Sequence, residues 1–299
     1  MPIDHATDAR ATLSLDHIGV IVNDLDAGAK TWRDLGFTLT RRSPQMGLNA
    51  NRNAFEPWAT ANHCAVFEVG YLELIGIHRP DRPNPWAPFL ARFEGGHIAA
   101  FRCGHADAMY QAIQDHTEDF DPPVDRRRDA PVEQGTQEMR FRNIFSRDDR
   151  VSEGRYIIIE HQTPEVLWRP SVMKHPNGVQ SIEQIVLVAN EPETPLARLH
   201  HMGGRQSDAS RDNDTTLTLP GGGSLRCMDR SAFAERYPGE AGHDRRFAAA
   251  TLGCSDLEHT RQWLRANGTP MRERDSRIWI PSDSANGCVI EFVPQQRFN

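Results

Sequence analysis

Apolar and polar positions follow a fixed order of strand-like and helix-like patterns along the chain. The run from Leu15 to Val22 is apolar and predicts a buried strand, after which Asp24 is typical of a helix N-cap. The following helix has one apolar stripe at three- and four-residue spacing, formed by Leu25, Ala29, Trp32 and Leu35. After a glycine stop at Gly36, three β-rich runs predict three strands: GFTLTRR, NHCAVFEVG and YLELIGI. The pattern predicts a β-α-β-β-β module.

Three further copies of this module follow. They begin at GGHIAAFRCGHADAMYQAIQDH, SIEQIVLVANEPETPLARLHHMGG and RFAAATLGCSDLEHTRQWLRANG. The segment TPEVLWRPSVMKHPNG lies between the second and third copies. Its prolines and a Pro-Asn-Gly turn interrupt both the helical and the strand periodicity. We therefore predict an α+β fold of four tandem βαβββ modules in two paired-module domains, 1–178 and 179–299. Since each four-stranded sheet has one uncovered face, paired modules should form a curved, cup-like mixed sheet with the helices outside.

Composition narrows the classes of partner. The 299 residues include 34 Lys plus Arg and 41 Asp plus Glu, a formal charge of -7 that disfavours nucleic acid. No apolar run is long enough to span a bilayer, and the first residues lack a secretion signal, so we expect a cytoplasmic protein without membrane contact. The five scattered cysteines are expected to be reduced. A small-molecule substrate and a possible homodimer fit this profile.

The repeated module resembles the vicinal oxygen chelate superfamily, which includes glyoxalase I, extradiol ring-cleaving dioxygenases and fosfomycin-resistance enzymes. The resemblance rests on LDHIGVIVNDLDAGAKTWRDLGF, YLELIGI, GGHIAAF and YIIIEHQ, and is closest to glyoxalase-like domain proteins. It covers the first half well and persists in the second half mainly as repeat architecture.

The resemblance implies one divalent metal ion in the cup of the first module pair. Its ligands at matching positions are His17, Glu73, His97 and Glu160, a set similar to the His-Glu-His-Glu ligands of bacterial glyoxalase I. The subset His17, His97 and Glu160 is similar to the two-His-one-carboxylate set of extradiol dioxygenases. Zn, Ni, Co, Mn and Fe(II) all suit such ligands, so the metal stays open.

The residues themselves give this site some support. Each of the four lies within an apolar run, where a buried carboxylate needs a cation or strong hydrogen bonds. The alternatives are core histidines with satisfied hydrogen bonds and, for Glu73, an edge-strand residue that points to water.

Four other residues could border this site: His161, Arg140, Arg142 and His175. In a regular strand His161 lies on the face opposite Glu160 and should not reach the metal. Arg140 and Arg142 share one strand face and could anchor a substrate carboxylate or enolate, or could pair with acids on the outer face. His175 at the link between the halves could close over the cup.

The second half departs from the metal-binding pattern. Gln184 stands where the first module has His17, Arg246 stands in place of His97, and Glu291 is the carboxylate that remains. Because arginine cannot bind a cation, this half is expected to be a structural or lid-like partner.

From the resemblance and these residues we predict a metal-dependent lyase or isomerase of glyoxalase type. The metal would stabilise an oxyanion or enediolate, and Glu73 or Glu160 would act as the catalytic base. The alternatives are an extradiol-type Fe(II) dioxygenase and a small-molecule binding or resistance protein without catalysis.

Overall fold

The computed structural model describes residues 12–48, 54–207, 210–211, 213–240 and 246–295. They form four β-α-β-β-β modules in the predicted α+β order. The first two modules comprise β1 (Ser14–Val22), α1 (Leu25–Asp34), β2 (Ser43–Leu48), β3 (Phe55–Val66), β4 (Tyr71–Ile77), α2 (Ala87–Leu90), β5 (Gly95–Arg102), α3 (Ala106–Ile113), β6 (Val124–Pro131), β7 (Thr136–Phe145) and β8 (Arg155–His161).

The last two modules follow a 3₁₀ turn at Pro164–Val166 and an irregular link. They comprise β9 (Val179–Val188), α4 (Glu193–His201), β10 (Arg205–Gln206), β11 (Asp214–Thr218), β12 (Ser224–Met228), α5 (Arg230–Arg236), β13 (Arg246–Cys254), α6 (Leu257–Ala266), β14 (Arg272–Arg274), β15 (Arg277–Ile280) and β16 (Val289–Pro294). A second 3₁₀ turn lies at Ser282–Ser284. The sequence pattern did not predict the short helices α2 and α5. No helix in the described ranges is long and apolar enough to cross a membrane.

Helix α1 starts where its predicted cap places it. Asp24 Oδ1 accepts hydrogen bonds from the backbone N–H groups of Asp26 (2.9 Å) and Ala27 (3.0 Å), which have no partner inside α1. Asp256 caps α6 in the same way. Such a cap contributes about 1 kcal/mol. The predicted stripe of α1 is buried against the sheet, so cap and stripe together fix where this helix lies.

One strand prediction is wrong. The run GFTLTRR forms no strand, and β2 begins only at Ser43. The backbone donors of this run bond to scattered partners: the Phe37 N–H to the Trp32 carbonyl, the Thr38 N–H to His175 Nδ1 and the Thr40 N–H to the Cys64 carbonyl. Because no single neighbouring strand receives them, a ladder cannot form.

Each pair of modules forms an eight-stranded half of one sheet. The order is β2-β3-β4-β1-β5-β8-β7-β6 in the first half and β10-β11-β12-β9-β13-β16-β15-β14 in the second. Within the first half β1 is antiparallel to β5 and parallel to β4. The half-sheets pair at Phe247 on β13 with Gly96 on β5, and an isolated parallel bridge also joins Val69 to Ser181. A Cβ at Gly96 would lie 2.1 Å from the Phe247 carbonyl oxygen, so this close approach requires glycine.

A shared hydrophobic core lies on the helix side of both half-sheets. Buried residues of all four modules contribute to one contiguous cluster, in which Phe37 of the first module stacks on Phe292 of the fourth with ring centroids 6.5 Å apart. All five cysteines are buried and free. The opposite face of the first half-sheet, which we call the cup face, is left to enclose a cavity.

Candidate functional site

A cavity of about 920 Å³ opens on the cup face of the first half. Its wall is mixed: Ile75, Ile98, Ile157 and Ile159 belong to an apolar part, and charged side chains such as Arg155 line other parts. Polar side chains from β1, β3, β4 and β6 are close together on one side of it: His17, Asn62, Glu73 and Arg128. The cavity therefore has an apolar part beside a small cluster of convergent polar groups, a combination found in small-molecule sites.

Asp16 anchors this cluster from beneath. Its side chain is 0% exposed, and its carboxylate accepts hydrogen bonds from His17 Nδ1 (2.8 Å), Arg102 Nε (2.9 Å) and His161 Nε2 (3.1 Å). Burial by itself would raise the pKa of Asp16, but His161 and His17 hold it well below the usual value. Asp16 is thus a buried carboxylate that connects β1, β5 and β8.

His17 presents its other ring nitrogen to the cavity. A register shift in β1 between Leu15 and His17 accompanies this arrangement, and the imidazole stacks on Tyr71 with ring centroids 4.2 Å apart. Nε2 makes no hydrogen bond among the described residues and lies 3.5 Å from Glu73 Oε2. Burial lowers the pKa of His17, but the neighbouring Asp16 and Glu73 outweigh it and raise the pKa above its usual value.

Glu73 faces His17 from β4 and is held from its other side. Asn62 Nδ2 donates to Glu73 Oε1, and Asn62 Oδ1 accepts a hydrogen bond of 3.2 Å from Arg128 Nη1. The Glu73 side chain is 13% exposed. Burial favours its protonated form, but His17 and Arg128 bring its pKa below the usual value. His17, Glu73, Asn62 and Arg128 therefore form a row across the cup, which we call the polar row.

His97 does not lie in the cup. Along β5, Ile98 and Ala100 pack on the cup face, so His97 points the other way. Its Nε2 donates to the Phe93 carbonyl (2.9 Å), and its ring stacks on Phe93. Burial lowers the pKa of His97 to about 4. The expectation that His97 shares a face with His17 is wrong.

Glu160 also lies on the helix side. Its Oε2 accepts a hydrogen bond of 2.8 Å from the Ala106 N–H at the start of α3, where the helix dipole favours a negative charge. His161, in step with Ile157 and Ile159, lies on the cup side and contacts Asp16. The alternation between Glu160 and His161 is as predicted, but the faces are exchanged.

The arginines predicted to bind substrate face outward. Arg142 pairs with Asp107 (2.7 Å) and Asp125 (2.8 Å), and Arg140 is exposed near Glu138. Phe141 and Asn143, the residues between and after them, line the cavity instead. The alternative of an outer face paired with acids is the arrangement that the structure has.

His175 is a buried link residue and does not cover the cup. Its Nε2 donates to the Val66 carbonyl (2.8 Å), and its Nδ1 accepts from the Thr38 N–H (3.0 Å). Burial lowers its pKa, which favours the neutral ring that these two bonds require. The side chain therefore connects the link to the first module.

Sequence reasoning missed Asp16 and Arg128, and it placed His161 on the face away from the site. Asp16 could have been found as a second charge beside His17 in an apolar strand. Arg128 could have been found from the period of two along β6, because it shares a strand face with Ala130, the buried residue of that strand. For His161 no such signal exists, because Tyr156 through Ile159 are apolar and buried on both faces.

The described residues of the second half form no equivalent polar row. Gln184 donates to Ser224 Oγ (2.9 Å), and Arg246 is buried beside Phe93. Glu291 is 0% exposed and accepts hydrogen bonds from Arg236, Arg277, Tyr237 and Thr251. The segment of α5 packs Phe233 and Tyr237 against β9, β13 and β16. The side chains of this segment therefore cover that part of the second half-sheet.

The predicted set of four ligands does not fit one metal ion. Of the four, the cup holds His17 Nε2 and Glu73 Oε2, while His97 and Glu160 lie on the helix side of the sheet. Among the residues described, no group of three or more His, Cys, Asp or Glu side chains is arranged to hold a metal. Metal binding by His17 and Glu73 stays a prediction, and the chemistry of the cup is derived from the side chains alone.

Comparison with known proteins gives the same picture of the fold. A family model described as a glyoxalase-like domain matches residues 15–203, more than half of the chain. No curated protein matches the chain by sequence.

Solved structures match over nearly the whole chain at low identity. A hypothetical protein from Staphylococcus aureus has a TM-score of 0.62 at 11% identity, covering 95% of this chain and 100% of that one. Homoprotocatechuate 2,3-dioxygenase from Arthrobacter globiformis has a TM-score of 0.52 at 13% identity, covering 96% and 81%. An extradiol ring-cleaving dioxygenase from B. fuscum has a TM-score of 0.52 at 13% identity, covering 97% and 74%.

These likenesses establish the fold and not the reaction, because the same fold carries different chemistries. The family model and the paired βαβββ modules agree with the resemblance seen in the sequence. The chain belongs to the glyoxalase-like domain family of the vicinal oxygen chelate superfamily.

Proposed function

We propose that this protein is an enzyme of lyase or isomerase type that moves a proton on a small oxygenated substrate in the cup. The observation that carries the proposal is the imidazole of His17. Its Nε2 is buried, has no hydrogen-bond partner among the described residues and faces the cavity, while Asp16 fixes its Nδ1. An imidazole held in this way is oriented for general acid-base work.

Asp16 supports two properties of His17. The hydrogen bond of 2.8 Å to Nδ1 keeps the proton on that nitrogen, so Nε2 of the neutral ring carries a lone pair. When Nε2 takes up a proton, the buried Asp16 carboxylate stabilises the imidazolium. The raised pKa of His17 is consistent with this role of Asp16 and Glu73.

Glu73 completes a pair that can hold and release one proton. Its Oε2 lies 3.5 Å from His17 Nε2, too far for a strong direct hydrogen bond but close enough for both atoms to contact one substrate group. For a substrate with a carbonyl, one member removes a proton from the adjacent carbon, and the electron pair moves to the carbonyl oxygen. The other member then returns a proton to that oxygen or to the neighbouring carbon.

Exchange of carbon-bound hydrogen in D₂O tests this proposal without knowledge of the natural substrate. The probes are 2-oxo-4-phenylbutanoate and the neutral 1-hydroxy-4-phenylbutan-2-one, and proton NMR measures loss of the C–H signals beside the carbonyl. We expect exchange above the buffer rate for at least one probe. His17→Gln should lower that rate by about 10²- to 10⁴-fold, the usual contribution of a general acid or base.

The matched control is Arg140→Gln on the outer face of β7, which should leave the rate unchanged. Exchange by His17→Gln at the wild-type rate would refute the proposal, as would no exchange above buffer for either probe. Oxygen uptake with a catechol after anaerobic Fe(II) loading would instead favour the dioxygenase alternative. Binding of the probes without any exchange would favour a binding protein.

A further inference from the structure

We propose that the cup binds a substrate with a single carboxylate on an apolar body of aryl size, and that Arg128 anchors the carboxylate at the end of the polar row. This inference rests on the proposed function, because it names the class of substrate for the same cup. It replaces Arg140 and Arg142, which face outward, with a different cation on a different strand.

The position of Arg128 on β6 places it on the cup side. Along this edge strand Arg126, Arg128 and Ala130 are at least partly buried, whereas Asp125, Arg127 and Asp129 are exposed. Arg128 lines the cavity, and Arg126 lines it too. Arg127 borders the cavity as well, but its side chain is exposed, so Arg126 and Arg128 are the partly buried arginines of this strand at the site.

Arg128 has hydrogen-bonding capacity that the protein does not use. A guanidinium carries five N–H donors, and Arg128 gives one hydrogen bond, to Asn62 Oδ1. No carboxylate of the described residues forms an ion pair with it. By contrast, Arg155 on the same cavity wall pairs with Asp148, and Arg142 pairs with two aspartates. A partly buried cation without an anionic partner is stabilised when it binds an anion from outside the protein.

The charge of the polar row selects a monoanion. Arg128 supplies one positive charge, and the Glu73 carboxylate lies two contacts away along the same row. A single carboxylate matches the planar fork of one guanidinium and leaves no excess charge. Other arginines of the cavity wall are already paired with acids: Arg127 with Glu138, Arg147 with Asp149 and Arg155 with Asp148. At the polar row a phosphate dianion would therefore be only half neutralised and would be repelled by Glu73.

The part of the wall that adjoins the polar row favours an apolar body. From the polar row the wall continues through Ile75, Ile98, Ile157 and Ile159 to the ring of Trp86. The volume of about 920 Å³ is far more than a carboxylate alone would fill. An aryl or branched alkyl group joined to the carboxylate would cover this wall while its oxygenated carbons lie beside His17.

Binding of simple probes tests the inference by calorimetry on the full chain. The probes are 3-phenylpropanoate, its amide, propanoate and phenyl phosphate. We expect 3-phenylpropanoate to bind at least tenfold more tightly than each of the others. Arg128→Gln should weaken its binding by about 10- to 100-fold, as for loss of a charged hydrogen bond. Arg128→Lys, which keeps the charge and loses the fork, should fall between.

The matched control is again Arg140→Gln, which should bind 3-phenylpropanoate as the wild type does. Circular dichroism and Arg128→Lys separate loss of binding from loss of folding. The inference is overturned if the amide binds as well as the acid, if phenyl phosphate binds more tightly, if Arg128→Gln keeps wild-type affinity, or if no probe binds. None of these results bears on the proposed function, which is tested by the exchange rate of His17→Gln with the neutral probe. The substrate class and the proposed function can therefore fail separately.

Discussion

The buried carboxylate of Asp16 gives the most specific prediction about stability. Replacing it in Asp16→Asn removes a charge that is 0% exposed and accepts three hydrogen bonds of 2.8 to 3.1 Å. The amide keeps one acceptor oxygen, but its NH₂ group then faces donors on His17, His161 or Arg102.

The size of the effect follows from burial. Loss of one partner from a buried charged network costs about 3–5 kcal/mol. The Arg102 side chain is 38% exposed and can be hydrated again, so the two histidines account for most of that cost. We therefore expect Asp16→Asn to lower the free energy of unfolding by about 3–4 kcal/mol, within the range for a buried partner.

Urea unfolding at pH 7 measures this difference, with Asp107→Asn as the matched control. Asp107 pairs with Arg142 at a similar distance of 2.7 Å, but its side chain is 45% exposed, so its loss should cost less than about 1 kcal/mol. If Asp16→Asn loses no more stability than Asp107→Asn, the account of Asp16 as the anchor of the site is refuted.

Two other predictions concern buried carboxylates. The pKa of Asp16 and of Glu291 is lowered in the folded chain, so their stabilisation is present above the unfolded pKa of about 4 and is lost as pH falls through the folded values. The thermal midpoint should therefore drop between about pH 5 and pH 3, and a midpoint that rises over this range would contradict the assignment. Glu291→Gln leaves Arg236 and Arg277 without their buried partner and should lower the urea midpoint while the exchange rate in the first cup stays at the wild-type value; an equal loss of exchange would show that the second half contributes to the reaction.

Much of the fold could be predicted from the sequence, because each module has local sequence patterns that predict its strands and its helix. The Asp24 cap, the apolar stripe of α1 and the strand patterns depend on neighbours along the chain, and the structure has the four modules in the predicted order. The failed strand GFTLTRR shows the limit. Its polar-apolar alternation fits a strand, but Phe37 packs on the aromatic core and the backbone N–H groups of the run bond to three separate places in the chain.

The candidate site could be predicted only in part, and strand phase explains why. His17 and Glu73 meet in the cup, whereas His97 and Glu160 point to the helix side. In β5 and β8 both faces are buried, so period-two alternation carries no information about which residue faces which side. A shift of one residue exchanges the faces, and that exchange puts His161 where Glu160 was expected.

Hydrogen-deuterium exchange by His17→Gln and His97→Gln, measured side by side with the neutral probe, tests the central claim most directly. The two histidines occupy matching positions of two modules, yet only His17 faces the cavity. We predict a loss of about 10²- to 10⁴-fold for His17→Gln and a rate within about threefold of wild type for His97→Gln. An equal loss in a folded His97→Gln variant would contradict the account and return His97 to the reaction centre.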